Sequence, residues 1–275
     1  MTEQSGPDSP DNRDWLRTSI GHSTPDTITV RGRDLASEVM GRMSFAELAF
    51  LLAAGRTPSE AETTLFNAVL VSLADHGLTP TALAARLTYT GAPEAIQGSI
   101  AAGLLGGGSV FLGPVEDTAR FLNEILASIP SDKQSEDSAL ESAATTAVQR
   151  ALDAGVRIPG LGHPVHRATD PRTPRFFELA DELELTGPNL RLLEFVAAAH
   201  RTVTGKALPI NGAGAAGAVL ADLGFPPPLA RAFALLARTA GLIGHIAEEM
   251  ENPIGLRLYK EVDARASRNA EPETP

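Results

Sequence analysis

The 275-residue chain contains no cysteine. That excludes disulfides, cysteine-ligated zinc and a thiol nucleophile. Aromatic residues are scarce, 5% against 43% hydrophobic residues overall, so a core has to be assembled from aliphatic side chains. That balance favours close-packed helices over a β-sandwich. Positive charge is also in short supply: 23 Lys and Arg stand against 34 Asp and Glu, a formal net charge of −11. A chain this acidic repels nucleic acid and anionic lipid, so neither is expected as a partner. An anionic substrate would have to be met by a local cluster of Arg and His. No uncharged apolar run reaches about 18 residues, which argues against a membrane-spanning helix. The opening MTEQSGPDSPDNRDW has neither the basic start nor the apolar centre of a secretion signal. The expected setting is cytoplasmic.

What is present reads almost entirely as helix, and the expected fold class is all-α. Thr-Ile-Thr-Val, 27–30, is a short extended piece that stops at Arg31-Gly32. Ser44 with Glu47 three residues on forms a capping box for FAELAFLLAA, and Gly55 ends that helix. Further amphipathic segments follow to about residue 262, separated by Gly, Pro and polar turns. Glycines 106–108 and prolines 226–228 read as hinges. They divide the chain into an expected large domain, 15–113 with 226–265, and a small inserted one, 114–225. The segments 1–14 and 266–275 read as tails.

Chemistry concentrates in three places. PGLGHPVHRATDPR, 159–172, sets two histidines and two arginines among turn formers. His163 suits proton exchange near neutrality, and the Arg172 fork matches a carboxylate. His163 and His166 make a weak metal pair, because Pro164 breaks the helix that would align them and no third ligand is evident. No metal is expected. His76 in Asp-His-Gly closes a helix, where a positive charge is favoured. Arg238 lies within a strongly apolar helix, and a buried arginine needs an anionic partner. Glu248 and Glu249 lie too far along for a local pair, and His245 reads as a core histidine. The glycine-rich GLLGGGS lacks the Gly-Lys-Ser/Thr ending of a phosphate loop. GAGAAG has dinucleotide-fingerprint spacing without the preceding strand.

Taken together these pieces resemble the citrate synthase superfamily. VRGRDLASEVMGRMSFAELAFLLAAGRTP is similar to the family's vRGydl…lsfaEvayLLl.GelP, GLGHPVHRATDPR to GfGHrvyk..DPR, and FALLARTAGLIGHIAEE to alaRtaGwiaHwlEq. The short length, DHGLTP and LPING point to the citryl-CoA lyase branch, which also forms the C-terminal module of ATP-citrate lyase. The resemblance implies a large and a small helical domain and a homodimer. It implies a coenzyme A thioester as substrate, a keto acid as the other small-molecule ligand, and cleavage of a carbon–carbon bond. His163 and His76 would surround the citryl group, with His163 drawing the hydroxyl proton. Arg172 and Arg238 would grip its carboxylates. Arg167 and Lys206 would meet coenzyme A, and Arg257 would reach a neighbouring subunit. Glycine permits close approach, so backbone N–H groups of Gly106, Gly107, Gly108 and Ser109, or of residues 212–214, would face the enolate oxygen.

Two positions depart from the family pattern. Phe111 stands where synthases carry the histidine of GplHGgAnE. Lyases of the ATP-citrate type also have phenylalanine there, which favours cleavage over condensation. Ala213 stands at the aspartate of the family's Asn-Val-Asp, the group that moves the α-proton; Glu116, Asp117 or a water would have to replace it. The expected function is an acyl-CoA carbon–carbon lyase acting on citryl-CoA or a related 3-hydroxyacyl-CoA. The alternatives are a lyase for another branched hydroxyacyl-CoA, a non-catalytic CoA- or citrate-binding protein, and a citrate-synthase-like condensing enzyme.

Overall fold

The structure, a computed structural model, describes residues 17–266. It divides into two compact units between Ser59 and Glu60.

The first unit holds a three-stranded antiparallel sheet, β1 (Gly21–Ser23), β2 (Ile28–Val30) and β3 (Arg33–Asp34), followed by a π-helical turn, Leu35–Val39. The extended reading of 27–30 is borne out. It ends at a two-residue hairpin because Arg31 and Gly32 both take positive φ, 50° and 77°. That twist matches the flanking strands. Helix α1 (Phe45–Ala54) starts and stops as its sequence requires. Ser44 accepts from Glu47 N, the Glu47 carboxylate accepts from Ser44 N, and Gly55 closes the helix with a left-handed φ of 73°.

The second unit is helical: α2 (Glu60–Ala74), α3 (Pro80–Gly91), α4 (Ile96–Leu105), α5 (Gly113–Ala127), α6 (Asp137–Asp153), α7 (Arg172–Glu182), α8 (Pro188–Thr204), α9 (Gly212–Asp222), α10 (Pro227–Glu251) and α11 (Gly255–Ala266). The all-α expectation holds. Helix α9 sits at the centre, buried from Gly214 to Leu220 and packed by α5, α8, α2 and α7. Its small residues permit this closeness: a Cβ on Gly214 would lie 2.6 Å from Gly160 Cα. Phe66, Phe225 and Phe233 join α2, the turn after α9, and α10, with ring centroids 4.7–5.8 Å apart. Both expected hinges fall at helix boundaries, before α5 and at the start of α10.

One expectation needs correction. Helix α10 is long and apolar enough, by length and composition, to cross a membrane. The requirement for a wholly uncharged run missed it, because the helix carries Arg231 and Arg238 among its apolar residues. It packs against α2, α3, α4 and α5, and Phe233, Ala234, Ala237, Leu242 and Ile246 are buried, as in the core helix of a globular unit.

Candidate active site

The three stretches singled out in the sequence meet in the second unit. His76 follows α2, His163 and His166 lie on the loop before α7, and Arg172 is the first residue of α7. The His76 ring centroid is 5.4 Å from that of His163 and 5.7 Å from that of His166. The rings of His163 and His166 stack 4.5 Å apart at 29°. His76 is thus brought from more than 80 residues away to the pair on the loop.

Backbone pairing places the loop beside the start of α9. Leu161 bridges Ile210, Gly162 N donates to Pro209 O at 2.7 Å, and Asn211 Nδ2 donates to Gly162 O at 2.8 Å. Asn211 also caps α9, its Oδ1 accepting from Gly214 N. Gly160 and Gly162 take φ of 81° and 80°, a turn that only glycine makes without strain.

Asp170 organises the charge. It has no exposed surface. Oδ1 accepts from Arg172 N and Nε at 3.1 and 3.0 Å, and Oδ2 from Arg172 Nη2 and Gly212 N at 2.8 and 2.7 Å. Burial alone would raise this carboxyl, but the Arg172 and Gly212 donors outweigh it and hold it well below the usual carboxylate range. Arg172 Nη1 reaches Ser72 O on α2 at 3.3 Å. The guanidinium is therefore aimed by one carboxylate and one carbonyl. Sequence reasoning missed Asp170; its place two residues before Arg172 was the available signal.

Arg238, 6% exposed, donates from Nη1 to Thr79 Oγ1 at a long 3.4 Å, and its buried Nε has no partner. Burial lowers its pKa; Asp75 opposes that shift and Arg172 adds to it. The two glutamates read as too distant are engaged elsewhere, with Glu248 and Glu249 both paired to the buried Arg86. His245 accepts from Arg86 Nε at 3.3 Å and contacts Asp75 Oδ1 through Nε2 at 2.9 Å. It is a satisfied histidine, as read, and it steadies the residue preceding His76.

The loop determines which proton His163 carries. Its Nδ1 accepts the N–H groups of Val165 and His166, at 3.1 and 3.0 Å. In the neutral ring the hydrogen then sits on Nε2, so His163 presents a donor. This revises the expectation that it draws a hydroxyl proton. Burial, then the neighbouring His166, lower its pKa; burial, then Arg172, lower that of His76. Both favour the neutral ring, and His76 is exposed.

A third imidazole for a metal, absent from the sequence reading, is supplied by His76: ligand atoms of the three rings lie within 4.8 Å of one another. The donor chemistry fits a metal poorly. A neutral ring bound through Nε2 would carry its hydrogen on Nδ1, which here faces two N–H donors. The charges of Arg172 and Arg238 also act on this cluster. We read the cluster as proton-handling.

The other expected residues stand apart. Arg167 is exposed on the loop next to His166, and Lys206 is exposed after α8, its carbonyl accepting from His200 Nδ1 at 3.1 Å in the donor tautomer. Arg257 is exposed on α11. Gly107 is buried and gives its N–H to Leu104 O, whereas the Gly108 carbonyl accepts from Phe111, Leu112 and Gly113. With the N–H groups of Gly106, Gly212 and Gly214 also engaged, four of the expected enolate donors are spent.

Known proteins share this helical fold. Residues 37–260 match the family model described as citrate synthase, C-terminal domain. The chain is 27% identical over 236 residues to the citrate synthase-like protein oryE of Aspergillus oryzae, covering 81% of this chain and 49% of that protein. It spans about half the length of the curated relatives it matches, 49% in each of two. Among solved structures, the citryl-CoA lyase of Hydrogenobacter thermophilus superposes with a TM-score of 0.77 at 33% identity, covering 87% of this chain and 88% of that one. An ATP citrate lyase of Methanosaeta concilii in complex with (3S)-citryl-CoA gives 0.70 at 21% identity, covering 86% and 39%.

Proposed function

The chain belongs to the citrate synthase family, and on that premise we propose that it is an acyl-CoA carbon–carbon lyase that cleaves citryl-CoA or a related 3-hydroxy-3-carboxyacyl-CoA. The observation that carries the reading is Arg238, a buried guanidinium with an unpartnered Nε beside the His76–His163 pair. Asp75 acts on Arg238 only at a distance, and among the described residues no carboxylate is hydrogen-bonded to it; a buried cation so placed calls for an anionic ligand, and each charged hydrogen bond to one is worth about 1.5–3 kcal/mol. Likeness to the citryl-CoA lyase along nearly its whole length supports the choice of cleavage.

In this reading Arg172 and Arg238 hold two substrate carboxylates. Exposed His76 takes the proton of the tertiary hydroxyl. His163 Nε2–H donates a hydrogen bond to the same oxygen as it becomes a ketone. The carbon–carbon bond breaks, its electron pair passes to the acyl-CoA fragment as an enolate, and a proton on carbon completes a keto acid and a shorter acyl-CoA. Arg167 and Lys206 attract the coenzyme A phosphates. Movement of residues 114–225 about the two hinges, with pairing into a homodimer, would exclude the water that hydrolyses a thioester. We place the reaction in the cytoplasm.

The test is mass-spectrometric product analysis of purified protein with citryl-CoA and a panel of 3-hydroxyacyl-CoA thioesters, His163→Ala alongside. A keto acid and a shorter acyl-CoA should form with the wild type and fall at least 100-fold with the variant. Tight binding of citrate or coenzyme A with no thioester cleaved would replace the lyase reading with that of a binding protein, the reading that Ala213 favours.

A further inference from the structure

The cleavage just proposed leaves one step without a residue. The enolate carbon needs a proton, and the carboxylate that the family pattern places at position 213 is here a methyl group. Among the described residues, the two carboxylates that act on the cluster, Asp170 and Asp75, are both engaged. Asp170 is buried and holds four donors. Asp75 accepts from Gly77 N at 2.9 Å and contacts His245. Burial would raise its carboxyl, yet these donors hold it below its ordinary value. Neither is an acid at neutral pH. Of the two groups weighed from the sequence, Glu116 is paired with Arg120 and Arg231, and Asp117 is exposed on α5.

The histidines remain. His163 Nδ1 is fixed by two N–H groups and its Nε2–H is committed to the substrate oxygen. His76 receives the hydroxyl proton. His166 is left, and it is well placed. Its own backbone N–H is one of the two donors to His163 Nδ1, which ties its position to that ring. Its imidazole is half-buried, stacks on His163 at 4.5 Å and stands edge-on to His76 at 5.7 Å. Nitrogens of the three rings lie within 4.8 Å of one another, a gap short enough for one water to span. The loop itself is held against the start of α9, where Ala213 lies, by the Asn211–Gly160 and Asn211–Gly162 hydrogen bonds of 2.9 and 2.8 Å. Against the pattern GfGHrvyk..DPR, this chain has His166 where a tyrosine stands. It therefore carries an extra imidazole on the loop and lacks a carboxylate at position 213.

We infer that His166 is the catalytic acid that protonates the enolate carbon, taking the place of the carboxylate absent at position 213. The inference rests on the lyase reading. The balance closes within the cluster. The hydroxyl O–H bond breaks and its proton moves to His76. The carbon–carbon bond breaks with its pair on the acyl-CoA fragment. The proton on His76 passes to His166, directly or through a water, and His166 then gives a proton to the enolate carbon to form the new C–H bond, ending neutral as it began. No oxidant, reductant or metal takes part. In reverse, His166 is the base that removes a proton from the acyl-CoA methyl group.

Both directions give a measurement. Wild type and His166→Ala are compared for turnover of citryl-CoA, for affinity toward citrate, and for exchange of acetyl-CoA methyl hydrogens into D2O with oxalate in the keto-acid site. General acid–base groups contribute typically 10²–10⁴-fold. Turnover and exchange are both expected to fall about 100-fold or more in the variant, with citrate affinity within about threefold. Adding Ala213→Asp to His166→Ala is expected to restore at least a tenth of the lost rate, whereas His166→Tyr restores nothing. Turnover and exchange within about threefold of wild type in His166→Ala would overturn the inference and leave the lyase reading standing. Failure of the wild type to cleave any thioester would remove the lyase reading itself, and this assignment with it.

Discussion

Replacing Asp170 by asparagine keeps the shape of the side chain and removes the charge at its centre. The carboxylate receives two donors on each oxygen, Arg172 N and Nε on one, Arg172 Nη2 and Gly212 N on the other. An amide has one acceptor oxygen, so its NH2 must face one of these pairs. Whichever way it turns, one bond to the guanidinium and one to a backbone N–H are lost. Both lost bonds end on a carboxylate, and a hydrogen bond to a charged group is worth about 1.5–3 kcal/mol, so the cost is about 3–6 kcal/mol. That is a large share of the roughly 5–15 kcal/mol of a typical domain. Urea denaturation at pH 7 measures it directly. The pH dependence supplies the sign. The folded carboxyl is held below its ordinary value, so its contribution is fully present above the unfolded value of about 3.9 and fades as pH falls toward the folded one. The gap between wild type and Asp170→Asn should therefore narrow at pH 3.5. Affinity for citrate should fall as well, because Arg172 loses the group that aims it. A loss under about 1 kcal/mol at pH 7, or a gap that does not change with pH, would refute the account of Asp170 as the anchor of the site.

Arg238→Met should leave the urea midpoint unchanged or raised, because it removes a buried charge with an unpaired Nε, and should weaken citrate binding about 10- to 100-fold. Loss of stability with binding intact would mean that Arg238 serves the fold alone. Gly214→Ala would set a Cβ 2.6 Å from Gly160 Cα and 2.7 Å from its carbonyl oxygen, backbone atoms that cannot swing aside. A drop in stability of about 1–3 kcal/mol is expected, with turnover lost as the loop separates from α9. EDTA dialysis should leave turnover unchanged; activity lost to the chelator and restored by zinc would convert the histidine cluster into a metal centre.

Local rules carried most of the fold, because helix ends depend on neighbours three or four residues away. The Ser44–Glu47 box, the Gly55 stop and the turn at Arg31-Gly32 each follow from adjacent residues. The site was legible as motifs, and His76, His163, Arg172 and Arg238 do converge. Their partners were not legible. The links from Arg86 and Asp75 to His245 span 159 and 170 positions, and no local spacing signals them. His166 was weighed only as a metal ligand, since a loop shows no ring stacking until it is folded. The glycine N–H groups were read as free because glycine permits approach, yet helix ends and caps had already claimed four of them.

The electrostatics of the site imply how it responds to its ligand. Without substrate, His76 faces Arg172, Arg238 and His166, with Asp170 opposing them; His163 faces His166, His76 and Arg172, again against Asp170. Burial comes first and the positive neighbours add to it, so both rings stay neutral below the ordinary histidine value of about 6.5. A bound polycarboxylate reverses the neighbouring term, because negative groups near an imidazole favour its charged form. The free enzyme's titration appears in kcat/KM and that of the complex in kcat. A base such as His76 must be neutral to act, so activity is lost on the acid side as it protonates. The acid limb should therefore lie at higher pH in kcat than in kcat/KM. In Arg238→Met, where one positive neighbour of His76 is gone, the kcat/KM limb should move up toward that of kcat. If the acid limb of kcat lies at the same pH as that of kcat/KM, or below it, the substrate carboxylates are not held beside these rings, and the arginines grip something other than the reacting acid.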